Sequence, residues 1–325
     1  VSDFVVLGRE HGQLFLSSPL ETEESASGEL TPGELGGADL HASRSGIACQ
    51  IAEDEDDAMS IVSELLSFLP DHCLAEPPLV ETGDDPERLC DVLASIVPDD
   101  PNRPYDMVKV IEETVDDGHF VELFQYYADN IIVGFSRLEG TTVGIVANQP
   151  KVLAGCLDID ASVKAARFIR TCDCFNIPLL TFVDVPGFLP GTVQEWGGII
   201  RHGAKLLFAY AEATVPKMTV VTRKAYGGAY LAMSCKHLRS DYNVAWPTGE
   251  LAVMGAEGAV KIIHRRELEA SDDPAGTQRE LVADYKHKFG DPYVAAKHGW
   301  LDDVIEPQET RLRLVRALRL LRSKR

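Results

Sequence analysis

From residue 131 onward, short apolar segments alternate with segments whose apolar residues recur at helical spacing. The clearest repeat has a helical pattern at 160–174, a strand-like run at 179–184, a helical pattern at 194–214 and a second strand-like run at 218–222. A chain that alternates strand and helix in this way crosses back over its sheet through the helices. The alternation therefore predicts a layered α/β fold with crossover connections.

The rest of the chain adds shorter elements of both kinds. A helical pattern at 54–69 has an acidic start and ends at Pro70, which suits the charge of a helix N-terminus and the geometry of proline. Two predicted strands, 131–138 and 142–148, are joined by a turn at 139–140. The other predicted elements are strands at 4–7, 13–16, 121–123 and 243–245, a short segment at 252–254, helices at 105–115, 257–264 and 277–289, short helices at 86–95 and after Gly227, and an exposed loop at 21–33.

A segment rich in proline and aspartate, residues 75–104, divides the chain. Such a composition is typical of a connector between domains, and we place the boundary near Pro98. At 325 residues the chain is also longer than one average domain. We therefore expect residues 1–97 to be part of one domain together with a linker, and residues 98–325 to be a second domain.

The formal charge of −20, from 51 acidic and 31 basic residues, argues against a nucleic-acid-binding surface. The sequence also has no run of about 18 apolar residues that could span a bilayer. A polyanionic ligand would need a local excess of cations, and the candidates are Arg201, His202, Lys205, Arg223 and Lys224. An ordinary solvated surface is the alternative interpretation of these five side chains.

The seven cysteines are odd in number and lie mostly in apolar segments, so they indicate no disulfide framework. This usage is typical of a reducing compartment, and we expect a cytoplasmic location. Cys172 and Cys174 lack a second Cys or His pair at zinc spacing. The sequence therefore predicts no bound metal.

A pair of glycines stands between the strand at 218–222 and a short predicted helix. In the segment Tyr226-Gly227-Gly228-Ala229, the glycines let the backbone turn sharply and let a substrate approach the main-chain N–H groups. At a helix start these N–H groups are free and carry partial positive charge, so they can stabilise an oxyanion. A tight turn that binds no ligand is the alternative interpretation of this motif alone.

Two further loops leave predicted strands near the starts of helices. Gly255 and Ala256 precede one helix and would add backbone close to the first turn. Pro186, Gly187 and Phe188 follow the strand at 179–184, and this mixture of rigid and aromatic residues is suited to the wall of a flat pocket.

Motifs of several common catalytic sites are absent from the sequence. It contains no G-x-S-x-G elbow, no Walker loop, no H-E-x-x-H zinc motif and no carboxylate pair that requires an acid–base assignment. Stabilisation of negative charge by backbone amides is therefore the main chemical device that the sequence predicts.

The stretch 183–260 carries these loops as an ordered string, and the whole string is specific. It closely resembles the carboxyltransferase β subunits of propionyl-CoA and acetyl-CoA carboxylases and the large subunit of methylmalonyl-CoA transcarboxylase. Further matches extend the resemblance over nearly the whole chain, at Gly36-Gly37-Ala38, His41, Ser45-Gly46, Pro104-Tyr105-Asp106, Ala147-Asn148-Gln149-Pro150, Pro292-Tyr293-Val294-Ala295-Ala296 and Gly299.

The resemblance implies an α/β fold of the crotonase-like (ClpP/crotonase) type, a superhelix of ββα units. Members have two such domains, and their active sites form where the N-terminal domain of one subunit meets the C-terminal domain of another. Residues 1–97 would then be the last part of the N-terminal carboxyltransferase domain plus the linker, and residues 98–325 the C-terminal, biotin-side domain. The chain is expected to start just downstream of the first domain's glycine-rich oxyanion loop, as an N-terminally truncated member.

The resemblance also implies an activity and the residues that serve it. The N–H groups of Gly228 and Ala229 would form the second oxyanion hole, which faces the ureido oxygen of biotin, and Gly227 would supply the turn. The chain would transfer a carboxyl group from N-carboxybiotin to the α-carbon of a short acyl-CoA, propionyl-CoA or acetyl-CoA, through an oxyanion-stabilised enolate. Biotin would be carried by a separate protein or subunit, and this chain would bind no metal.

Eight residues are expected to line the substrate- and biotin-binding pocket: Tyr226, Gly227, Leu231, Pro186, Gly187, Phe188, Gly255 and Ala256. Carboxylases that prefer propionyl-CoA commonly have Asp where this chain has Leu231. Leu231 leaves the acyl group open among acetyl, propionyl and slightly longer chains, because one methylene in an apolar pocket discriminates by only about 1 to 3 kcal/mol.

The expected partners are an acyl-CoA substrate, a biotin carboxylase or biotin carboxyl carrier subunit, and further copies of this chain, as a dimer to hexamer. Neither nucleic acid nor a membrane is expected. The alternatives are a biotin-dependent methylmalonyl-CoA decarboxylase or transcarboxylase subunit, and a non-catalytic truncated module that docks a biotin carrier protein. A hydratase or isomerase of the wider superfamily is less favoured, because the sequence offers no clear Glu or Asp for the pocket.

Overall fold

The computed structural model describes residues 2–17, 31–98 and 100–324. The strands are β1 (Val6–Gly8), β2 (Gln50–Ala52), β3 (Phe120–Leu123), β4 (Ile131–Leu138), β5 (Thr141–Asn148), β6 (Leu179–Val185), β7 (Lys217–Tyr226), β8 (Tyr242–Ala245), β9 (Glu250–Ala252) and β10 (Asp303–Val304). The α-helices are α1 (Pro32–Gly36), α2 (Ala38–Leu40), α3 (Glu55–Phe68), α4 (Leu93–Ile96), α5 (Met107–Thr114), α6 (Ile159–Cys174), α7 (Thr192–Gly197), α8 (Ile199–Glu212), α9 (Gly227–Leu231), α10 (Ala256–Ile263), α11 (Arg265–Ala270), α12 (Pro274–Tyr285), α13 (Pro292–Lys297) and α14 (Thr310–Leu321).

Within the described residues, strands β3 to β10 form one eight-stranded mixed sheet in the order β10-β8-β7-β6-β5-β4-β3, with β9 paired to β7 beyond the end of β8. β3, β4 and β5 pair antiparallel, whereas β5, β6, β7, β8 and β10 run parallel. The turn between β4 and β5 has positive φ at both Glu139 and Gly140 (50° and 72°), which suits a tight hairpin. The chain therefore pairs a hairpin meander with βα crossovers in one sheet.

The hydrophobic core lies on both faces of this sheet. Leu179 and Val183 of β6 pack with α6 and α8 on one face, whereas Leu180 and Phe182 pack with α5 and α14 on the other. Neighbouring residues of a strand point to opposite faces, so a strand with few polar residues must be covered on both sides. The predicted layered α/β arrangement is confirmed.

Two long helices begin and end where the sequence predicts. Asp54 accepts a hydrogen bond from the Asp57 N–H at 2.8 Å and caps α3, which ends before Pro70. Asp158 caps α6 in the same way through the Ala161 N–H at 2.8 Å. An aspartate before a helix supplies an acceptor for N–H groups that have no partner within the helix.

Several predicted elements are wrong. The helix predicted at 194–214 is two helices, α7 and α8, because Gly198 between them adopts a left-handed conformation with φ 89°. The strand predicted at 13–16 is reduced to one bridge between Gln13 and Gly37. The helix predicted at 86–95 is only α4, and β7 continues four residues past the predicted strand end, to Tyr226. Most of the loop predicted at 21–33 lies outside the described residues.

A second, two-stranded sheet of β1 and β2 stands apart from the large sheet. It packs with a small cluster of buried residues that includes Leu7, Ala38 and Ala48. Helix α3 joins this region to the large sheet, because its Leu65 and Phe68 belong to the core cluster of Phe135. In the part of the chain that the structure describes, no helix has the length and apolar character needed to cross a membrane.

Candidate active site

The three glycine-containing loops of the sequence leave one edge of the sheet. β6 ends at Val185 and β7 at Tyr226, and these two strands are parallel neighbours. β9 runs parallel to the end of β7, with Ala252 opposite Tyr226. Because the carboxyl ends of parallel strands face the same way, the loops after β6, β7 and β9 meet there, the usual place for a ligand in an α/β sheet.

The turn after β7 depends on glycine. Gly227 has φ 57°, a conformation that side-chain-bearing residues rarely adopt, and a Cβ at this position would lie 2.7 Å from the carbonyl oxygen of Val253. The turn after β7 therefore packs directly against the loop after β9. Helix α9 begins at Gly227, and no side chain caps it.

The first N–H groups of α9 are available for a ligand. Among the described residues, no acceptor receives a hydrogen bond from the backbone N–H of Gly228 or Ala229. Gly228 is exposed, whereas Ala229 is buried. Two adjacent N–H groups at a helix start are an arrangement that stabilises an oxyanion.

Phe188 covers this turn from the loop after β6. A Cβ on Gly228 would lie 3.9 Å from a Phe188 ring carbon, and one on Gly203 of α8 would lie 2.9 Å from another carbon of the same ring. The ring therefore lies between α8 and the start of α9. The backbone of this loop is fixed by Leu157, whose N–H donates to Gly187 O at 3.1 Å and whose carbonyl accepts from the Leu189 N–H at 2.8 Å.

Tyr226 closes the site on the side of β9. A Cβ on Gly255 would lie 3.4 Å from a Tyr226 ring carbon. The Tyr226 hydroxyl donates to the carboxylate of Glu250, which also accepts from Lys286 Nζ at 2.8 Å. Burial, followed by the Glu250 hydrogen bond, raises the pKa of Tyr226 well above its usual range. The phenol is therefore a neutral donor that is already engaged.

A buried ion pair stands behind the site. Arg223 Nε donates to Asp184 Oδ2 at 3.0 Å, and the backbone N–H of Lys224 donates to Asp184 Oδ1 at 3.1 Å. The other end of the guanidinium donates to the carbonyls of Asp100 and Arg103 at 3.2 and 2.9 Å. Burial raises the pKa of the Asp184 carboxyl, and the charge of Arg223 acts in the opposite direction.

The predicted group of five cations is divided by the fold. Arg223 is buried and fully engaged by Asp184, so the expectation that it is available to an anionic ligand is wrong. On α8, His202 lies 3.3 Å from Arg201 and 3.1 Å from Lys205. The pKa of His202 is lowered, first by burial and then by the charges of Lys205 and Arg201. Lys224 is half-buried at the end of β7.

The remaining predicted site residues lie along these same loops. Leu231 is the last residue of α9 and is 40% exposed. Pro186 and Gly187 are half-buried next to Phe188, and Ala256 is buried at the start of α10. The structure thus places the predicted site residues at one edge of the sheet, in the loops after β6 and β9, at the end of β7 and in the short helix α9.

Sequence reasoning missed the residues that hold these loops. Asp184 and Arg223 are 39 positions apart, and no local pattern marks them as partners. Leu157, Gly203 and Glu250 were likewise not singled out. Of these residues only Gly203 has a partial signal in the sequence, because a glycine inside a helical pattern often permits a close contact.

The described ranges of the chain contain no group of three or more His, Cys, Asp or Glu side chains arranged to hold a metal ion. Two carboxylates on the strands beside β7 are both engaged: Asp184 by Arg223, and Glu250 by Tyr226 and Lys286. The unpaired backbone amides of Gly228 and Ala229 therefore remain available to stabilise negative charge.

The whole chain matches one protein family, Carboxyl transferase domain, over residues 1–325. It is 55% identical to the propionyl-CoA carboxylase carboxyltransferase subunit of Haloferax mediterranei, with 100% of this chain and 63% of that protein aligned. It is 53% identical to methylmalonyl-CoA decarboxylase subunit alpha of Veillonella parvula, with 100% of this chain and 62% of that protein aligned. The chain therefore spans less than two thirds of the length of these relatives.

The fold is shared with solved structures. A crystal structure of transcarboxylase 12S, described as a hexamer assembly with methylmalonyl-coenzyme A and methylmalonic acid bound, superposes with a TM-score of 0.96 at 48% identity. The match covers 100% of this chain and 62% of that one. A single-chain, multi-domain long-chain acyl-CoA carboxylase gives a TM-score of 0.80 at 29% identity over 97% of this chain and 31% of that one. The expected crotonase-like α/β fold is confirmed, and the chain belongs to the carboxyl transferase domain family.

Proposed function

We propose that this chain is the carboxyltransferase component of a biotin-dependent acyl-CoA carboxylase, and that it transfers a carboxyl group between biotin and the α-carbon of a short acyl-CoA. The observation that carries the proposal is the pair of N–H groups on Gly228 and Ala229, which have no acceptor in the described structure and lie at the edge of the sheet where the loops after β6, β7 and β9 meet. Identity above 50% to named carboxyltransferase and decarboxylase subunits supports it.

The surroundings of these amides suit biotin. Biotin, when bound, supplies a ureido ring that carries the carboxyl group. Gly228 and Ala229 would donate hydrogen bonds to the ureido oxygen and stabilise the negative charge that develops there. The Phe188 ring, within 3.9 Å of a Cβ on Gly228, and the Tyr226 ring beside Gly255 would orient a flat ring and exclude water. Because the α9 turn is already fixed, these donors need no rearrangement during the reaction.

Acid–base catalysis by a side chain is not part of this proposal. Asp184 forms an ion pair with Arg223, and Glu250 accepts hydrogen bonds from Tyr226 and Lys286. The role of the protein is then to stabilise charge and to position the reactants. Leu231 would meet the acyl group, and its apolar side chain is compatible with acetyl, propionyl and slightly longer chains.

The partners follow from the same proposal. Biotin would arrive on a carrier protein or subunit, and the chain would self-associate as a dimer to hexamer. Exposed apolar side chains support association: Val193, Trp196 and Ile200, on α7 and the start of α8, are 79%, 85% and 82% exposed. Apolar groups of this size clustered on a surface are typical of protein–protein contacts. The free cysteines among the described residues support a reducing, cytoplasmic location.

We also propose that the domain boundary lies near Pro98. The eight-stranded sheet uses only strands that begin at or after Phe120, whereas β1 and β2 form their own small sheet. Residues 1–97 would be the last part of an N-terminal carboxyltransferase domain with its linker, and residues 98–325 the biotin-side domain.

A subunit that decarboxylates or transcarboxylates methylmalonyl-CoA is a second candidate function. The identity of 53% to a methylmalonyl-CoA decarboxylase subunit favours it almost as strongly as the first. It would use the same amides and the same pocket, with the carboxyl group moving in the other direction or to another acceptor.

Release of carbon dioxide from methylmalonyl-CoA and malonyl-CoA by the purified chain, with and without free biocytin, tests the proposal. We expect turnover that requires biocytin, and the ratio of the two rates measures the acyl preference. Binding of biocytin without any turnover would instead identify the chain as a non-catalytic module. Turnover that does not change when biocytin is omitted would contradict a biotin-dependent site.

A further inference from the structure

Lys224 is a cation at the candidate site whose charge no protein group in the described structure neutralises by contact. It stands in β7, three residues before Gly227, and its backbone N–H donates to Asp184. Among the described residues, its ammonium has no hydrogen-bond acceptor and no carboxylate within 4.0 Å. In a chain with a net charge of −20, an unpaired half-buried lysine is unusual.

The carboxylates closest to Lys224 are occupied by other groups. The Asp184 carboxylate accepts a hydrogen bond from the Arg223 guanidinium. Glu250, which lies opposite Lys224 in the β7–β9 pairing, accepts hydrogen bonds from Tyr226 and Lys286. Burial lowers the pKa of Lys224, and the charge of Asp184 acts in the opposite direction. A half-buried ammonium whose neighbouring carboxylates are engaged is best stabilised by an anion that comes from outside the chain.

Lys224 lies near the loop that carries Phe188, the ring proposed to orient biotin. Its charge acts on Cys156, where burial raises the pKa of the thiol and Lys224 opposes the rise. The next residue, Leu157, pairs with Gly187 and Leu189 on either side of Phe188. A Cβ on Gly155 would lie 2.4 Å from the carbonyl oxygen of Asp184, so the segment 155–157 runs against the end of β6, where the Asp184 carboxylate accepts from the Lys224 N–H. Lys224 therefore lies at the same end of the sheet as the loop whose phenyl ring covers Gly228.

The charge of Lys224 suits a single carboxylate better than a polyphosphate. One ammonium is a compact point charge with three donors, which matches a monoanion. The phosphates of CoA would be better served by several exposed cations, such as Arg201, His202 and Lys205 on α8.

We propose that the Lys224 ammonium binds the carboxylate that is transferred, and holds it beside the Gly228 N–H while it is on the acyl group and on biotin. This inference rests on the proposed carboxyltransferase function. It makes Lys224 a binding residue for the transferred group, separate from the amides that stabilise the ureido oxygen.

The test compares two ligands that differ only in this carboxylate. Calorimetry measures the binding of methylmalonyl-CoA and of propionyl-CoA to the wild-type chain, Lys224→Met and Lys224→Arg. For the same three proteins, the biocytin-dependent decarboxylation gives the KM values for methylmalonyl-CoA and for biocytin. Lys109→Met, an exposed lysine of α5, is the matched control.

Lys224→Met is expected to weaken the binding of methylmalonyl-CoA by about tenfold or more, the usual contribution of a charge-assisted hydrogen bond. The affinity for propionyl-CoA should stay within about twofold of the wild-type value. The KM for methylmalonyl-CoA should rise with no matching rise for biocytin, and Lys224→Arg should restore part of the loss. An equal loss for both CoA esters would assign the ammonium to the CoA phosphates and overturn the proposal, as would unchanged binding of both.

The wild-type chain separates this inference from the function on which it rests. Absence of biocytin-dependent turnover in the wild type would contradict the carboxyltransferase function itself, whatever the variants do. Wild-type turnover with unchanged kinetics in Lys224→Met would contradict only the role of Lys224.

Discussion

Arg223 and Asp184 form a buried ion pair that joins the loops after β6 and β7. Arg223 Nε donates to Asp184 Oδ2 at 3.0 Å, and the two side chains are 6% and 1% exposed. The β6–β7 pairing shifts register between Val183 and Val185, so the carboxylate of Asp184 lies inside this irregularity and accepts from the Lys224 N–H as well. The turn that presents Gly228 is therefore anchored to the strand that leads to Phe188.

Loss of this ion pair should weaken both the fold and the proposed activity. Asp184→Asn leaves the guanidinium of Arg223 buried without a counter-charge, and we expect the free energy of unfolding to fall by about 3 to 5 kcal/mol. Turnover should fall further than the unfolded fraction explains, because the α9 turn loses its anchor. Urea denaturation and the biocytin-dependent assay measure the two effects.

The exposed pair of Arg265 and Glu269 provides the control for that variant. Their side chains are 77% and 62% exposed, so Glu269→Gln should change stability by less than about 1 kcal/mol. If Asp184→Asn were as mild as this control in both measurements, the anchoring role of the ion pair would be wrong.

A methyl group on Gly203 should disturb the pocket more than the fold. Its Cβ would lie 2.9 Å from the Phe188 ring, so Gly203→Ala is expected to move that ring and to raise the KM for biocytin by about three- to tenfold. The gain of roughly 1 kcal/mol in helix propensity offsets part of the clash. Steady-state kinetics and thermal unfolding separate the two effects.

Gly258 offers a matched alanine variant in α10. A Cβ there meets only Met254 Sδ at 4.0 Å, so Gly258→Ala should stabilise the chain by up to about 1 kcal/mol and leave the KM for biocytin unchanged. An equal KM for biocytin in Gly203→Ala and the wild type would show that Phe188 does not shape the biotin site.

The sequence predicts the sheet and its loops well because both depend on local patterns. Buried strands such as 179–184 have few polar residues, and the Gly227-Gly228 pair marks the turn after β7 directly. Long-range partners leave no such pattern: Asp184 and Arg223 are adjacent only after β6 and β7 pair. The division of 194–214 into α7 and α8 also escapes a periodicity argument, since two helices separated by the single residue Gly198 keep nearly the same apolar spacing.

The buried carboxyl of Glu122 should make stability depend on pH. Burial raises the pKa of Glu122 to about 7 from an ordinary 4.5, whereas the charge of Lys164 opposes the rise. Between these two pH values the folded chain holds a proton that the unfolded chain has released, so the free energy of unfolding should fall as pH rises from about 4.5 to about 7.

Glu122→Gln should flatten this part of the pH profile by roughly 1 to 3 kcal/mol, because glutamine does not titrate. The measurement is urea denaturation at pH values across this window, with Asp272→Asn, at an exposed residue, as control. A wild-type profile that rises with pH across the window and matches that of Glu122→Gln would refute the assignment.

Self-association should depend on the exposed apolar residues of α7 and α8. Light scattering at tens of micromolar should give a mass of at least a dimer, and Trp196→Glu, at a residue that is 85% exposed, should shift the chain toward monomer without unfolding it. Asp272→Glu, at an exposed residue outside this surface, should keep the wild-type mass. A wild-type mass that is strictly monomeric would contradict the proposed association.

The central claim is that the backbone N–H of Gly228 stabilises the charge that develops during carboxyl transfer. The direct test compares the biocytin-dependent turnover of methylmalonyl-CoA by Gly228→Pro and by Gly228→Ala. The proline variant removes this N–H, whereas the alanine variant keeps it and places its methyl group no closer than 3.9 Å to Phe188. Loss of one oxyanion donor typically costs a factor of about 100 to 1,000 in kcat, so we expect that loss in the proline variant and a much smaller one in the alanine variant. Equal turnover by a folded Gly228→Pro variant and Gly228→Ala would contradict the claim.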